Sequence, residues 1–378
     1  MDTMDETVDD EGLSQEDLAH LEWARTLARR GWGRVHPNPL VGCVLVREGR
    51  MVGEGFHREF GGPHAEIVAL EQAGSRAEGA TAYVSLEPCD HDAKTPPCAH
   101  ALLRAGVSRV IYGVADPDET ASGGAETLRR GGVEVVGPVW NERVGRAENP
   151  ELFHTRRHRS PYVALKLAMS LDGYIAAKPG ACTRITGVEA EREVHRLRTG
   201  FDGVLVGAGT VRADDPRLTV RMAPAGRNPV RRMVLDARAE LPVVCALFDD
   251  IAEAPLHIFT RHDADEGDIE RLESAGAHVH PVPHDAGGLD LQRVLDVAWE
   301  AGIESILCEG GARLAEALLR EGRIQRLYLL IAPTTLGTGG VSAFPQEAKA
   351  VEWSAFFPAC APQVFGRDTL IVLDKEGD

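Results

Sequence analysis

The sequence lacks any apolar run approaching the roughly 18 residues that would mark a membrane-spanning helix. It also lacks a surplus of positive charge. The formal net charge is −17, which argues against a general nucleic-acid binder, because phosphate contacts need clustered Lys and Arg. That balance still allows a small phosphorylated ligand held by a few local cations. Disulfide scaffolding is absent too: seven cysteines is an odd number without tight framework spacing, which points to a reducing compartment. The stretch Met1 to Gly12 holds six Asp or Glu and no Lys or Arg, so it is no signal peptide. Finally, no G-x-G-x-x-G follows a strand, so a Rossmann dinucleotide domain is not supported. The expectation is a cytoplasmic protein with no membrane or nucleic-acid partner and a disordered acidic leader over residues 1–13.

What is present is a chain of 378 residues, 43% hydrophobic, enough for two or three ordinary globular domains. Its chemistry gathers at His64-Ala65-Glu66, then Pro88-Cys89 and, after eight intervening residues, Cys98. One imidazole and two thiolates with a fourth position open describe a catalytic zinc site. A carboxylate two residues from the ligating His can shuttle protons for a zinc-activated water without binding the metal. The pattern H-x-E followed by P-C and a second Cys is that of zinc nucleobase deaminases. A structural zinc would want a fourth protein ligand, for which His91 is the nearby candidate. Cys43, in an apolar strand, reads as core.

The first half alternates as α-β-β-α-β-α-β-α-β, from a helix capped by Ser14 to a strand at Val133 to Val136, and predicts a three-layer α/β sandwich. Pro63 places His64 and Glu66 at a helix start. A strand over Thr81 to Leu86 delivers Cys89, and Pro97-Cys98 opens the next helix. A short helix is predicted near Glu142 to Ala147 within a joint, and the basic run Arg156-Arg157-His158-Arg159 reads as a solvated surface or domain contact rather than a nucleic-acid patch. From Pro161 strands and helices alternate again, predicting a mainly parallel sheet, with strands near Leu370 to Leu373 closing its edge. Expected boundaries are a deaminase domain over 14–147, a linker over 148–160 and a second domain over 161–378.

The first half resembles the deaminase domain of the bifunctional riboflavin-biosynthesis deaminase/reductase family. The resemblance rests on His36-Pro-Asn-Pro39, Val41-Gly42, Gly53-Glu-Gly55 with His57, His64-Ala-Glu66, and Leu86-Glu-Pro-Cys89 through Thr95-Pro-Pro-Cys98. It implies a cytidine-deaminase-like fold, with His64, Cys89 and Cys98 as zinc ligands, Glu66 as proton shuttle and Asn38 touching the pyrimidine. The family commonly has H-H-G-[RK] where His91-Asp92-Ala93-Lys94 stands here, and an Asn where Asp118 follows Asp116-Pro117.

The second half is similar to the reductase domain of the same family, which implies a dihydrofolate-reductase-like fold and NADPH as cofactor. The matching stretches are Lys166-Leu-Ala-Met-Ser170, Leu171-Asp-Gly173, Ile185-Thr-Gly187, Leu197-Arg198, Gly207-Ala-Gly-Thr210, Asp214-Asp-Pro216, Leu218-Thr-Val-Arg221, Glu309-Gly-Gly311 and Ala332-Pro333. Carried over, Ala168, Thr210, Asp214 and Gly311 line the cofactor, while Thr186, Arg198, Leu218, Arg221 and Glu309 hold the substrate. Arg198 and Arg221 would serve as guanidinium forks for a sugar phosphate. Lys166 and Asp214 are candidate acids. Where the family has Ser-[KQ]-Trp, with Ser at the substrate and Trp at the cofactor, this chain has Cys182-Thr183-Arg184. An Arg plane can stack in place of the lost ring.

The resemblance implies zinc-dependent deamination of a diaminopyrimidinone ribosylamine 5′-phosphate, followed by NADPH reduction of its ribosyl group to ribityl, in a homo-oligomer. Three rivals stand beside it: a deaminase with a degenerate reductase half, motivated by Cys182-Thr183-Arg184; a nucleic-acid deaminase, opposed by the charge; and a non-catalytic module, opposed by the intact zinc set.

Overall fold

The computed structural model describes residues 12–91, 97–224, 229–344 and 353–376. Of the acidic leader, only its last two residues fall within these. The chain divides into two compact units, Met1–Arg159 and Ser160–Asp378.

The first unit runs α1 (Gln15–Ala28), β1 (Gly42–Arg47), β2 (Arg50–Phe56), α2 (Ala65–Ala73), β3 (Thr81–Leu86), α3 (Cys98–Arg104), β4 (Arg109–Val114), α4 (Gly124–Arg130), β5 (Glu134–Val136), α5 (Glu142–Glu148) and α6 (Pro150–His158). Its five-stranded sheet has the order β2-β1-β3-β4-β5. The β1–β2 and β1–β3 pairings are antiparallel, and β3, β4 and β5 run parallel. The α-β-β-α-β-α-β-α-β order expected from periodicity is the order observed.

Local chemistry explains how α1 is seated. Ser14 and Asp17 form a capping box, each side chain accepting the other's backbone N–H. The Asp17 carboxylate also accepts the Tyr83 hydroxyl of β3 at 2.6 Å and lies 3.4 Å from the Arg109 guanidinium of β4. One buried acid thus caps a helix and pins it to two strands. On the other face, α2 lies directly on the β1–β2 hairpin. A Cβ on Gly55 would stand 2.5 Å from the Ala65 carbonyl oxygen and 2.7 Å from the Ala69 nitrogen, so only glycine permits this approach.

The joint is more ordered than its sequence suggested. The helix predicted near Glu142 is present as α5, but the following stretch forms α6, where no periodicity was visible. Its apolar side chains are the adjacent pair Leu152-Phe153, followed by the basic run Arg156-Arg157-His158, so no 3.6-residue stripe shows in the sequence. Tertiary contacts order it: Leu152 and Phe153 pack with Leu86 and Val114. Buried Asn149 accepts the Leu40 N–H at 2.7 Å and donates to the Leu40 carbonyl.

The second unit begins with β6 (Tyr162–Ser170), β7 (Tyr174–Ala176), α7 (Val188–Arg198), β8 (Gly203–Gly207), α8 (Ala208–Asp214), β9 (Arg231–Leu235), α9 (Ala246–Asp249) and β10 (Leu256–Arg261). It continues with α10 (Glu266–Ser274), β11 (His278–Val282), β12 (His284–Asp285), β13 (Gly288–Leu289), α11 (Leu291–Glu300), β14 (Ser305–Cys308), α12 (Ala312–Arg320) and β15 (Arg326–Ala332). Its last strands are β16 (Val341–Ser342), β17 (Phe356–Pro358), β18 (Gln363–Phe365) and β19 (Asp368–Lys375). The main sheet is ordered β11-β10-β9-β8-β14-β6-β15-β19-β17, with β18 paired to β19. It is parallel from β11 through β15, as expected, and β19 closes the edge antiparallel to β15. Helix α8 was not anticipated: it is short and begins Ala-Gly, a poor helix former.

At the β10–β11 edge, His257 Nδ1 lies 3.0 Å from His280 Nε2, and His278 packs against the same ring. Burial, then His280, His278 and Arg231, lower the His257 pKa to about 4. The unfolded ring titrates near 6.5, so below that pH the unfolded chain binds more protons than the folded one, and stability falls as pH drops toward about 4. Thermal melts across this window should show an acid-side loss that His257→Gln flattens. Separately, Gly55→Ala should cost about 1–3 kcal/mol by overpacking α2 on the hairpin, read as a lower melting temperature of the first unit.

Candidate active sites

In the first unit three elements deliver three metal donors. His64 is the N-cap of α2 in extended conformation, just before the helix, and Glu66 lies in the first helical turn. Cys89 follows β3, and Cys98 is the first residue of α3. His64 Nδ1 is 3.5 Å from Cys89 Sγ and 3.3 Å from Cys98 Sγ, and all three donor atoms lie within 4.8 Å of one another. A tetrahedral zinc with ordinary Zn–S and Zn–N lengths needs N···S edges of about 3.6 Å, so the donor set fits the ion. Among the described residues no fourth donor joins these three, and three protein ligands with a position left open is the pattern of a catalytic rather than a structural zinc site. The Cys98 amide points at the Cys89 sulfur, 3.5 Å away, and the Ala99 amide bonds the Cys89 carbonyl. The Cys98 thiol hydrogen bond, and after it those from His64 and the Cys98 amide, hold Cys89 at about 4 despite burial. A Cβ on Gly124 would stand 1.8 Å from the Pro88 carbonyl oxygen, so α4 can back the Cys89 loop only as glycine.

Glu66 is 3% exposed. Burial, then the Cys89 charge, raises its carboxyl to about 7. A carboxyl that can gain or lose a proton near neutrality suits a shuttle. The cavity over this set measures about 320 Å³ and is lined by Asn38, His57, His64, Glu66 and Cys89 among others. Asn38 Nδ2 is 3.1 Å from His57 Nε2, and His57 Nδ1 is 3.0 Å from the Pro63 carbonyl. With Nδ1 donating to that carbonyl, Nε2 accepts from the Asn38 amide, leaving the Asn38 oxygen to face a ligand.

Sequence reasoning did not single out His57, Asp116 or Arg156 as site residues, yet all three line this cavity. His57 and Asp116 stood in quoted motifs without an assigned role. Arg156, read as solvated surface, carried no local signal, because only the unforeseen α6 brings it there. Among the described residues, His262, Asp263 and His284 form a second group with metal-ligand spacing. Arg261 already sits 3.2 Å from the Asp263 carboxylate, which makes it an ion-paired corner.

The second unit holds a cavity of about 950 Å³ at the C-terminal ends of β8 and β9, lined by Cys182, Thr210, Asp214, Asp236, Arg238 and Gly311 among others. Thr210 Oγ1 accepts the Gly311 N–H at 3.2 Å, tying α8 to the N-cap of α12. The start of α12 opens into this space, and free N–H groups there favour phosphate. Size and donors fit a dinucleotide cofactor. Ala168 lies in β6 outside the lining, and Arg184, 77% exposed, pairs with Glu191 at 2.8 Å instead of facing the cavity. An Arg184 plane stacked on the cofactor is therefore not what the structure shows.

Beside this cavity is a buried charge cluster. Arg198 donates Nε and Nη2 to Glu309 at 2.5 and 3.1 Å and Nη1 to the Thr219 carbonyl at 2.9 Å. Its fork is closed on protein rather than open to a sugar phosphate. Lys166 Nζ is 3.8 Å from Glu309. Burial pushes Glu309 up, but Arg198 and Lys166 more than offset it and hold the carboxyl below its usual range. Burial lowers Lys166 against the pull of Glu309. Arg221, exposed, donates its backbone N–H to His195 Nδ1 at 3.2 Å; burial, then Arg198 and Arg217, lowers its pKa. Leu218 is buried at φ 54, and Thr186 precedes α7.

Residues 14–114 match the family of the cytidine and deoxycytidylate deaminase zinc-binding region, and residues 161–356 match the RibD C-terminal domain. The riboflavin biosynthesis protein RibD of Aquifex aeolicus is 40% identical over 324 residues, 85% of this chain and 88% of that one. That of Escherichia coli is 37% identical over 359 residues, 90% and 95% of the two chains. Among solved structures, Acinetobacter baumannii RibD superposes with TM-score 0.79 at 32% identity, covering 96% of this chain and 99% of that one. A diaminohydroxyphosphoribosylaminopyrimidine deaminase/5-amino-6-(5-phosphoribosylamino)uracil reductase from Thermotoga maritima gives 0.78 at 31%, covering 95% and 99%.

Replacing Cys98 by Ser should remove most bound zinc, since a hard hydroxyl replaces a thiolate ligand. Glu66→Gln should keep it. Elemental analysis of the purified proteins distinguishes the two, and equal zinc in both would count against this ligand set. Three converging soft donors, a buried carboxyl beside them and a second unit with a cofactor-sized cavity agree with the comparisons: the chain belongs to the RibD family of riboflavin biosynthesis proteins, bifunctional deaminase and reductase enzymes.

Proposed function

We propose that the first unit hydrolyses the 2-amino group of 2,5-diamino-6-(5-phosphoribosylamino)pyrimidin-4(3H)-one, and that the second reduces the ribosyl group of the deaminated product to ribityl. The observation that carries the first half is the convergence of His64, Cys89 and Cys98 beside a buried Glu66. Zinc held by these three residues supplies water activation at neutral pH. The rest falls to the chain. Asn38, oriented by His57, offers its oxygen to the pyrimidine edge. Glu66 takes a proton from the attacking water and returns one to the departing nitrogen. The C–N bond breaks as the C–O bond forms, releasing ammonia. The buried site excludes bulk water from this exchange.

In the second unit, Thr210, Asp214 and Gly311 would hold NADPH in the larger cavity, and the cofactor when bound would supply the hydride for C1′ of the sugar. Lys166 is the candidate proton donor as the ring opens, with Glu309 fixing it and Arg198 together. Arg198 acts through Glu309 and Thr219, and Arg221, with its guanidinium exposed, is the cation left for the sugar phosphate. Cys182 and Thr183 line the cavity where substrate and cofactor would meet, while Ala168, Thr186 and Leu218 lie outside its lining. Both activities run in a homo-oligomer in the cytoplasm; no described helix is long and apolar enough to cross a membrane.

Glu66→Ala should lower ammonia release by about 10²–10⁴-fold, while zinc stays bound. NADPH oxidation with the deaminated substrate supplied directly should continue at the unmutated rate. If the unmutated protein releases ammonia but oxidises no NADPH, the second unit is a scaffold and the reductase half of this reading is wrong.

A further inference from the structure

The mouth of the zinc cavity carries an ion pair that the reaction above does not use. Arg156, on α6, donates Nε to Asp118 Oδ2 at 2.6 Å, and both residues line the cavity. Asp118 is itself fixed. Its Oδ1 accepts the Thr120 N–H at 3.0 Å and the Thr120 hydroxyl at 2.6 Å, and its own N–H donates to Asp116 Oδ1 at 2.9 Å. The loop between β4 and α4 therefore grips one edge of a guanidinium that arrives from α6. Only Nε is engaged: among the described residues, no protein partner is found for the two terminal amino groups of Arg156. The side chain is 36% exposed, so the free edge meets solvent at the cavity mouth.

Two further observations bear on what that edge is for. The helix that carries Arg156 is anchored to the loop that carries Asn38, since Asn149 at the foot of α6 clamps Leu40 through both of its amide atoms. The guanidinium is thus held in register with the pyrimidine-binding end of the site. The rest of the wall is acidic or neutral: Glu87, Asp116 and Asp118 line the cavity, and Arg156 is the only Lys or Arg among the described lining residues. With Asp118 paired to Arg156, and Glu87 turned to the Gly123 and Ala125 amides, the terminal amino groups of Arg156 are the anion-attracting feature among the described lining residues.

We propose that Arg156 is the phosphate-binding residue of the deaminase site, with Asp118 as its positioning residue, so that this site selects a 5′-phosphorylated ribosylamine over the dephosphorylated compound. This rests on the deaminase reading above. A planar guanidinium with one edge tied back presents two parallel N–H groups, the geometry that matches two phosphate oxygens. The pyrimidine lies at the metal end and the phosphate at the mouth. Asp116 remains as an acceptor for sugar hydroxyls between them.

The test compares the phosphorylated substrate with its dephosphorylated form, using Arg156→Met, which keeps the apolar stem, and Arg156→Lys. Charge-assisted bonds of this kind are worth about tenfold or more. The ratio of kcat/KM for phosphorylated over dephosphorylated substrate should therefore fall by about that factor in Arg156→Met, through KM rather than kcat. Arg156→Lys should retain part of the preference. Asp118→Ala should lower the ratio by a smaller factor, and Asp118→Asn, which keeps an acceptor, should recover most of it. Calorimetry with ribose 5-phosphate should show the same ranking without turnover, and zinc content reports folding. An unchanged ratio and unchanged ribose 5-phosphate affinity in a zinc-replete Arg156→Met protein overturn the proposal. If the unmutated protein releases no ammonia from either compound while ribose 5-phosphate binding still depends on Arg156, the deaminase reading fails and the anion site stands.

Discussion

The first unit depends on bringing three donor atoms to within hydrogen-bonding distance of one another from three separate elements. An imidazole and two thiols gathered in a buried place are unfavourable without a cation to share, since thiolates repel and burial opposes their charge. The surrounding architecture supplies the constraint that holds them. Gly55 lets α2 settle on the hairpin and so fixes His64. Gly124 lets α4 close behind Pro88 and so fixes the Cys89 loop. The start of α3 turns its first amide toward the Cys89 sulfur. Each of these is a backbone approach that a larger residue would prevent, so the site is set by packing before any ligand arrives.

The same burial that holds the donors tunes the acid beside them. Glu66, out of water and next to sulfur, is moved toward neutrality, where a carboxyl exchanges protons readily. In the second unit the outcome is opposite. Glu309 is as deeply placed, but two cations flank it, and their attraction outweighs desolvation and keeps it ionised. The two carboxylates suit different tasks: Glu66 could exchange protons near neutrality, and Glu309 organises Arg198 and Lys166. What separates them is the charge of their neighbours rather than their depth.

Several parts of this were legible in the chain. The spacing of His64, Glu66, Cys89 and Cys98 pointed to zinc and to a candidate proton shuttle, because few arrangements of those residue types make chemical sense. Strand and helix order followed from periodicity, since the elements that carry each core are long enough to show it. Other parts were not legible. Helix α6 shows only the adjacent apolar pair Leu152-Phe153 before a basic run, and its order comes from those two residues meeting strands far away in sequence. Arg156 therefore looked like surface. Arg184 stands where the family carries an aromatic, but Glu191, seven residues onward, captures it. Arg198 looked like an open fork, and only the fold shows Glu309 closing it.

By itself the sequence determined the fold class and zinc as the metal and, through its family resemblance, the pairing of a deaminase with a reductase on one chain, and it offered His64, Cys89, Cys98 and Glu66 as candidate ligands and proton shuttle. These depend on residue identity and on ordered motifs, which are written directly in the chain. Tertiary structure alone decided which charges neutralise one another and which remain free to meet a ligand. Arg198 closes its fork on Glu309 and Arg184 pairs with Glu191, whereas Arg156 ties only its Nε to Asp118 and Arg221 keeps an exposed guanidinium bonded to the Thr219 hydroxyl. Partners of that kind lie many residues apart, and an ion pair forms only where folding brings both side chains to the same few ångströms.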